Sequence, residues 1–190
     1  PIQEVQSQAG NEFQEKDIIR ILIAGGDKIF DQEENITVAE YILSNIEDVV
    51  EDFDHELYRR VAQISLELLS EGQPVNPNVF LNHIDMDISQ LAVDCISSPY
   101  EYSENWEKKW DIFLQTQKMP DDNFQKDSMI ALKRFKLKKI IRMTEKNQQE
   151  IKALSERGAV DQLMTHMKVQ QRLLEIRNEL ADQLGTVVLK

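Results

Sequence analysis

From Asp122 to Arg157 the chain reads DNFQKDSMIALKRFKLKKIIRMTEKNQQEIKALSER, 36 residues without a proline or a glycine. These are the two residues that most readily break a helix, so the stretch is expected to form one continuous helix. At 1.5 Å per residue it would run roughly 54 Å. A bundle built from the residues before it would be only roughly 30–35 Å across. The helix is therefore expected to leave the bundle. Gly158 ends it, and a second helical segment follows from Val160 to Leu184, closed by Gly185. So short a break joins antiparallel neighbours. The distal half of the long helix and the last helix are thus expected to pair as a hairpin.

Upstream, residues 1–11 (PIQEVQSQAGN) are polar and read as a linker remnant; the chain begins at Pro1 rather than Met, as a piece of a longer protein would. Phe13, Ile18, Ile19, Leu22 and Ile23 fall on one helical stripe. Gly25-Gly26 is expected to end that helix by adopting the left-handed conformation. Thr37 and Glu40 have the spacing of a capping box, opening a helix with Val38, Ile42, Ile46 and Val49 inside. A third helix, about 54–69, would bury Leu57, Val61, Ile64 and Leu68, and Glu71-Gly72 closes it. Asn76-Pro77 starts a short helix with Val79, Phe80 and Leu81. Ile84 to Ser97 would pack Ile88, Leu91, Ala92, Cys95 and Ile96 before Pro99. A further helix from about Ser103 would hold Trp106, Trp110, Phe113 and Leu114. No segment sustains a two-residue alternation, so no sheet is expected. The fold class is all-α: a linker remnant at 1–11, an N-terminal helical bundle at 12–120, a long connecting helix at 121–158 and, at 159–190, the last helix of a C-terminal helical hairpin.

At 41% hydrophobic residues the 190-residue chain can bury a core. No stretch approaches the roughly 20 apolar residues of a membrane span, and no signal peptide is visible, so a cytoplasmic protein without a membrane partner is expected. The net charge of −12 is unevenly spread. Residues 1–57 hold 15 acidic and three basic residues, whereas the remainder is balanced, with 19 of each. The acidic front end is not expected to grip DNA phosphates.

Few residues suggest chemistry. Ala24-Gly25-Gly26-Asp27 lacks the Gly-Lys-Ser/Thr ending of a phosphate loop. Cys95 is the sole cysteine and reads as a small apolar filler rather than a nucleophile. His55, His83 and His166 are scattered and read as surface or helix-end histidines rather than ligands. Asp85, beside His83 and Asp87, reads as a helix cap rather than a metal ligand. Glu47, Asp48, Glu51, Asp52 and Asp54 form an acidic cluster in which Glu47 and Glu51 would share a helix face. It reads as a solvated or docking patch ahead of a weak cation site. No catalytic, cofactor-binding or metal residue and no small-molecule substrate is expected. The one concentrated basic run is Lys133-Arg134-Phe135-Lys136-Leu137-Lys138-Lys139 with Arg142. A single-stranded-nucleic-acid-binding domain using residues 133–142 is therefore the alternative functional reading.

The last helix carries two apolar stripes. Val160, Leu163, Met164, Met167 and Leu174 make the first; Leu173, Ile176, Leu180 and Leu184 make a second, partly rotated one, and Val187, Val188 and Leu189 add an apolar tail. A two-helix hairpin buries one face of each helix, so the leftover stripe either folds back on the bundle or meets a partner. The partner-binding residues read from this periodicity are Leu173, Ile176, Arg177, Leu180, Leu184 and Val187.

Three blocks, taken in order, add to this reading: EKDIIRILI at 15–23, SPYEYSENWEKKW at 98–110, and LEIRNEL at 174–180 followed by Leu184-Gly185. Together, over about residues 12–189, they resemble the C-terminal region of the DnaG-type DNA primases of bacteria. The resemblance implies a helical bundle joined by a long helix to a helical hairpin. It implies docking on the N-terminal domains of the ring-shaped, DnaB-type replicative DNA helicase during primer RNA synthesis. In that family the bundle stimulates the helicase and the hairpin supplies affinity. The parent enzyme is a DNA-directed RNA polymerase using zinc and magnesium. The clustered Cys/His of its zinc ribbon and the carboxylates of its polymerase core have no counterpart in this sequence. The piece is therefore expected to be non-catalytic and free of cofactors, with no strong hold on nucleic acid.

Overall fold

A computed structural model describes residues 12–97 and 123–185. The described elements are helix α1 (Glu12–Gly25), strands β1 (Ile29–Asp31) and β2 (Ile36–Thr37), and helices α2 (Val38–Ile46), α3 (Glu56–Ser70), α4 (Pro77–Leu81), α5 (Met86–Ile96), α6 (Phe124–Arg157) and α7 (Val160–Gln183). The architecture is mainly α-helical, with one small two-stranded sheet. The expected helix at 103–114 and the block at 98–110 lie outside the described residues. The chain divides into two compact units, Glu15–Met129 and Ile130–Lys190 with Pro1–Gln14.

The first unit is organised by α1. Ile18, Ile19, Ile21, Leu22 and Ile23 are all buried. A helix apolar on most sides is a central helix rather than a surface one. The single stripe expected there was too narrow, and its Phe13 is 68% exposed. Glu15, in the same helix, is buried as well. Its Oε1 accepts the N–H of Asp54 at 2.8 Å and its Oε2 the N–H of His55 at 3.1 Å. These bonds tie α1 to the residues that enter α3. Burial raises the carboxyl above its ordinary value of 4.5, although the two N–H donors pull the other way.

The Gly25-Gly26 step does not work as expected. Neither residue has a positive φ; Gly72, Gly158 and Gly185 do. Space is the constraint instead. A Cβ on Gly26 would lie 2.5 Å from the Leu22 carbonyl oxygen and 2.7 Å from that of Val75, and one on Gly25 would strike the Phe124 ring. The chain then forms the antiparallel pair β1–β2, with Ile29 opposite Thr37 and Asp31 opposite Ile36. This overturns the expectation of no sheet. Strands of three and two residues are too short to show a period. Their turn is built locally: Asp31 Oδ1 accepts the N–H of Glu33 at 2.8 Å, and Asn35 takes φ 53°.

The caps follow the sequence reading. Thr37 and Glu40 form the reciprocal box at the start of α2, Asn76 caps α4 ahead of Pro77, and Asp85 caps α5. Between α2 and α3, Glu47–Asp52 is a 3-10 helix. Its tighter winding, three residues per turn, goes with the burial of Val50 in place of the expected Val49. On α3 the buried residues are Tyr58, Val61, Ala62 and Ser65, while Leu57, Ile64 and Leu68 are only half-buried. On α4 only Phe80 is buried. On α5, Ile88 and Ala92 are buried, Leu91 and Cys95 half-buried, and Ile96 exposed.

Two outcomes test this packing. Gly26→Ala should destabilise the protein by about 1–3 kcal/mol, read from the urea midpoint, because the new methyl group meets backbone oxygens that cannot rotate away. A carboxyl whose pKa is raised on folding holds its proton more tightly in the folded state. Its contribution to stability therefore falls as pH climbs from the ordinary carboxyl range through the raised one. The stability difference between the native protein and Glu15→Gln, measured against pH, should shift against the native protein over that window.

Candidate functional site

The second unit contains the hairpin. Gly158, at φ 68°, turns the chain between α6 and α7. The Ala159 N–H donates to the Leu154 carbonyl at 3.2 Å and the Gly158 N–H to that of Ser155 at 3.3 Å. These are the two bonds of a Schellman ending, which needs a residue comfortable at positive φ in the Gly158 position.

A buried asparagine sets how the two helices meet. Asn147 on α6 is buried. Its Nδ2 donates to the His166 carbonyl at 3.0 Å and to Gln170 Oε1 at 2.8 Å. Its Oδ1 lies 2.7 Å from His166 Nδ1. Because Oδ1 only accepts, His166 carries a proton on Nδ1. His166 is thus neither a surface nor a helix-end histidine but half of an interhelical polar lock. Thr144, also buried, returns its hydroxyl to the Ile140 carbonyl at 2.8 Å. The side chains facing inward on α7 therefore include His166, Gln170, Leu173 and Ala181, spaced four, three and eight residues apart.

The first apolar stripe is unevenly covered, with Leu163 and Leu174 half-buried. Val160, Met164 and Met167 of the same stripe are 63%, 57% and 56% exposed. Of the partner-binding candidates, Leu173 is buried and serves packing. Ile176, Arg177, Leu180 and Leu184 are half-buried, and Arg177 Nη2 donates to Asn178 Oδ1 at 3.1 Å. Val187 lies outside the described residues. His166 and Gln170 hold inward positions usually given to apolar side chains, which a count of apolar residues does not show.

Leu184 has a further role. With Gln14, Arg134, Leu137, Lys138 and Ile141 it lines a groove of about 190 Å³. Two segments singled out separately in the sequence, the basic run and the end of the last helix, thus come together. Arg134 and Lys138 stand one turn apart on α6, as do Leu137 and Ile141. Phe135, in the middle of the basic run, is buried. Gln14 Oε1 is buried and has no hydrogen-bond partner. The groove offers cations, aliphatic surface and one unsatisfied acceptor.

The other chemistry-bearing residues serve local structure. Asp85 Oδ1 accepts the Asp87 N–H at 2.9 Å, and its Oδ2 pairs with Arg60. The Arg60 guanidinium holds the Asp85 carboxyl below its ordinary value. His83 Nδ1 accepts the Asp85 N–H at 3.1 Å. In the acidic cluster, Glu51 Oε1 accepts from Gln63 Nε2 at 2.9 Å. The 3-10 geometry takes Glu47 and Glu51 off a shared face, since i and i+3 are the residues that align there. Among the described residues no group of three or more His, Cys, Asp or Glu is arranged to hold a metal ion. Burial pushes the Cys95 thiol up to about 11, so little thiolate is present at neutral pH. Among the described residues no helix is long and apolar enough to cross a membrane.

Residues 3–187 match the family model described as a domain of unknown function (DUF8430). The chain belongs to that family. No curated protein and no solved structure matches it significantly.

The lock predicts how a single and a triple variant should differ. Asn147→Leu leaves the His166 N–H and the Gln170 amide without a partner and should cost about 1–3 kcal/mol. Adding His166→Leu and Gln170→Leu replaces the polar side chains with apolar ones and should recover much of that loss. Urea unfolding of the single and triple variants measures both; a single variant as stable as the native protein would remove the lock.

Proposed function

We propose that this chain is a non-catalytic docking module, the helicase-binding C-terminal region of a bacterial DNA primase, which attaches the primase to the hexameric DnaB-type helicase during primer synthesis. The observation that carries this reading is the exposed stripe Val160, Met164 and Met167 on a hairpin whose register is fixed by Asn147. Large apolar side chains aligned on one face of a helix cost free energy while hydrated and gain it when a partner covers them. Methionine suits such a surface because its unbranched thioether adapts to the shape it meets. The partner comes from the resemblance to bacterial primases. The long helix and hairpin are the elements that the resemblance implies, and this supports the reading.

The alternative, binding of single-stranded nucleic acid through 133–142, has less support. Phe135 is buried and offers no stacking surface. Lys136, Lys139 and Arg142 already engage other groups of the protein.

Binding of the full chain to purified hexameric helicase tests the proposal. Removing residues 159–190 should weaken it at least about tenfold, and Met164→Asp with Met167→Asp should do the same while leaving the circular dichroism melt unchanged, as expected for exposed positions. Unchanged affinity in both variants would refute the role given to the hairpin. Steeply salt-dependent binding to oligothymidylate, with no helicase binding, would favour the nucleic-acid reading.

A further inference from the structure

The groove lined by Gln14, Arg134, Leu137, Lys138, Ile141 and Leu184 makes three chemical demands of an occupant. Its volume of about 190 Å³ and the aliphatic side chains of Leu137, Ile141 and Leu184 suit one aliphatic side chain. Arg134 and Lys138 form no salt bridge among the described residues, so the basic side of the groove awaits an anion. Gln14 Oε1 is a buried acceptor without a donor, which an occupant carrying an N–H or O–H would satisfy.

Few ligand classes meet all three demands. A fatty acid supplies the chain and the anion but, once ionised, brings no donor to Gln14. A nucleic-acid strand supplies phosphates, but no aromatic side chain lines the groove to stack a base, and three aliphatic residues would face a sugar-phosphate backbone. A peptide supplies everything: an aliphatic side chain, a main-chain N–H, and carboxylates on neighbouring residues. We propose that the groove docks an acidic–aliphatic peptide segment of a partner protein. One aliphatic side chain sits against Leu137, Ile141 and Leu184, a main-chain N–H donates to Gln14 Oε1, and flanking Asp or Glu carboxylates meet Arg134 and Lys138. Charge complementarity selects the segment, because Arg134 and Lys138 attract carboxylates and repel basic flanks. The inference rests on the docking reading only for the source of the segment.

Methyl-detected NMR of the full chain tests it. The probe is a short synthetic peptide with one leucine flanked on both sides by glutamates. Saturable shifts of the Leu137, Ile141 and Leu184 methyl signals are expected. Replacing the glutamates by lysines, or the leucine by alanine, should weaken binding about tenfold, and so should Arg134→Glu with Lys138→Glu in the protein. Those two positions are exposed or half-buried, and an unchanged melt confirms that the variant folds. Absence of shifts at those methyls, equal binding of the lysine peptide, or equally strong shifts with oligothymidylate or laurate would each overturn the proposal. The two proposals fail separately. Helicase binding that ignores Arg134→Glu with Lys138→Glu leaves the docking module and removes the groove; peptide binding without helicase binding does the reverse.

Discussion

The hairpin depends on one buried amide. Asn147 has two donors and one acceptor group to satisfy away from water, and it finds them on α7: the His166 carbonyl, Gln170 Oε1 and His166 Nδ1. Rotating α7 by one residue would break all three contacts together. An apolar seam tolerates such slippage because one aliphatic contact replaces another, whereas a buried polar network does not. The lock thus turns Met164 and Met167 outward and Leu173 and Ala181 inward. What the protein can show to a partner follows from a hydrogen-bonding constraint rather than from the greatest possible apolar burial.

The first unit solves a similar problem with a charge. Glu15 lies among the isoleucines of α1, where an ionised carboxylate is costly. Two backbone N–H groups entering α3 offset part of that cost, and the raised carboxyl shows that the offset is incomplete. In return, a carboxylate between Asp54 and His55 fixes where α3 begins. That start has no side-chain cap of its own, unlike α2, α4 and α5.

These differences explain what could be read from the sequence. Local devices were legible: the Thr37–Glu40 box, Asn76-Pro77, the Asp85 cap and the glycine at 158 each act within a few residues, so their spacing carries the information. The uninterrupted run to Arg157 was legible for the same reason, and α6 is one helix of 34 residues. Tertiary constraints were hidden. Gly26 is hemmed in by the Leu22 carbonyl and by that of Val75, some fifty residues away. The β1–β2 pair is too short for a period, and the 3-10 helix shifts burial from Val49 to Val50 without a mark in composition. At the candidate site, Leu184 was legible as an apolar position near the end of α7. Gln14 was not, since a lone glutamine ahead of an apolar helix carries no signal until its oxygen proves to be buried without a donor.

The exposure of Val160, Met164 and Met167 bears on how such a surface is maintained. An apolar seam would leave α7 able to turn its methionines inward whenever no partner is bound, and recognition would then pay for turning them out again. With His166 and Gln170 held inward by Asn147, Met164 and Met167 have no equivalent inward register to adopt. The exposed stripe is then part of the folded state rather than a minor conformation, and association would face a surface already in its binding form. The polar seam thus gives up some apolar burial and in exchange keeps Met164 and Met167 on the outer face of the hairpin.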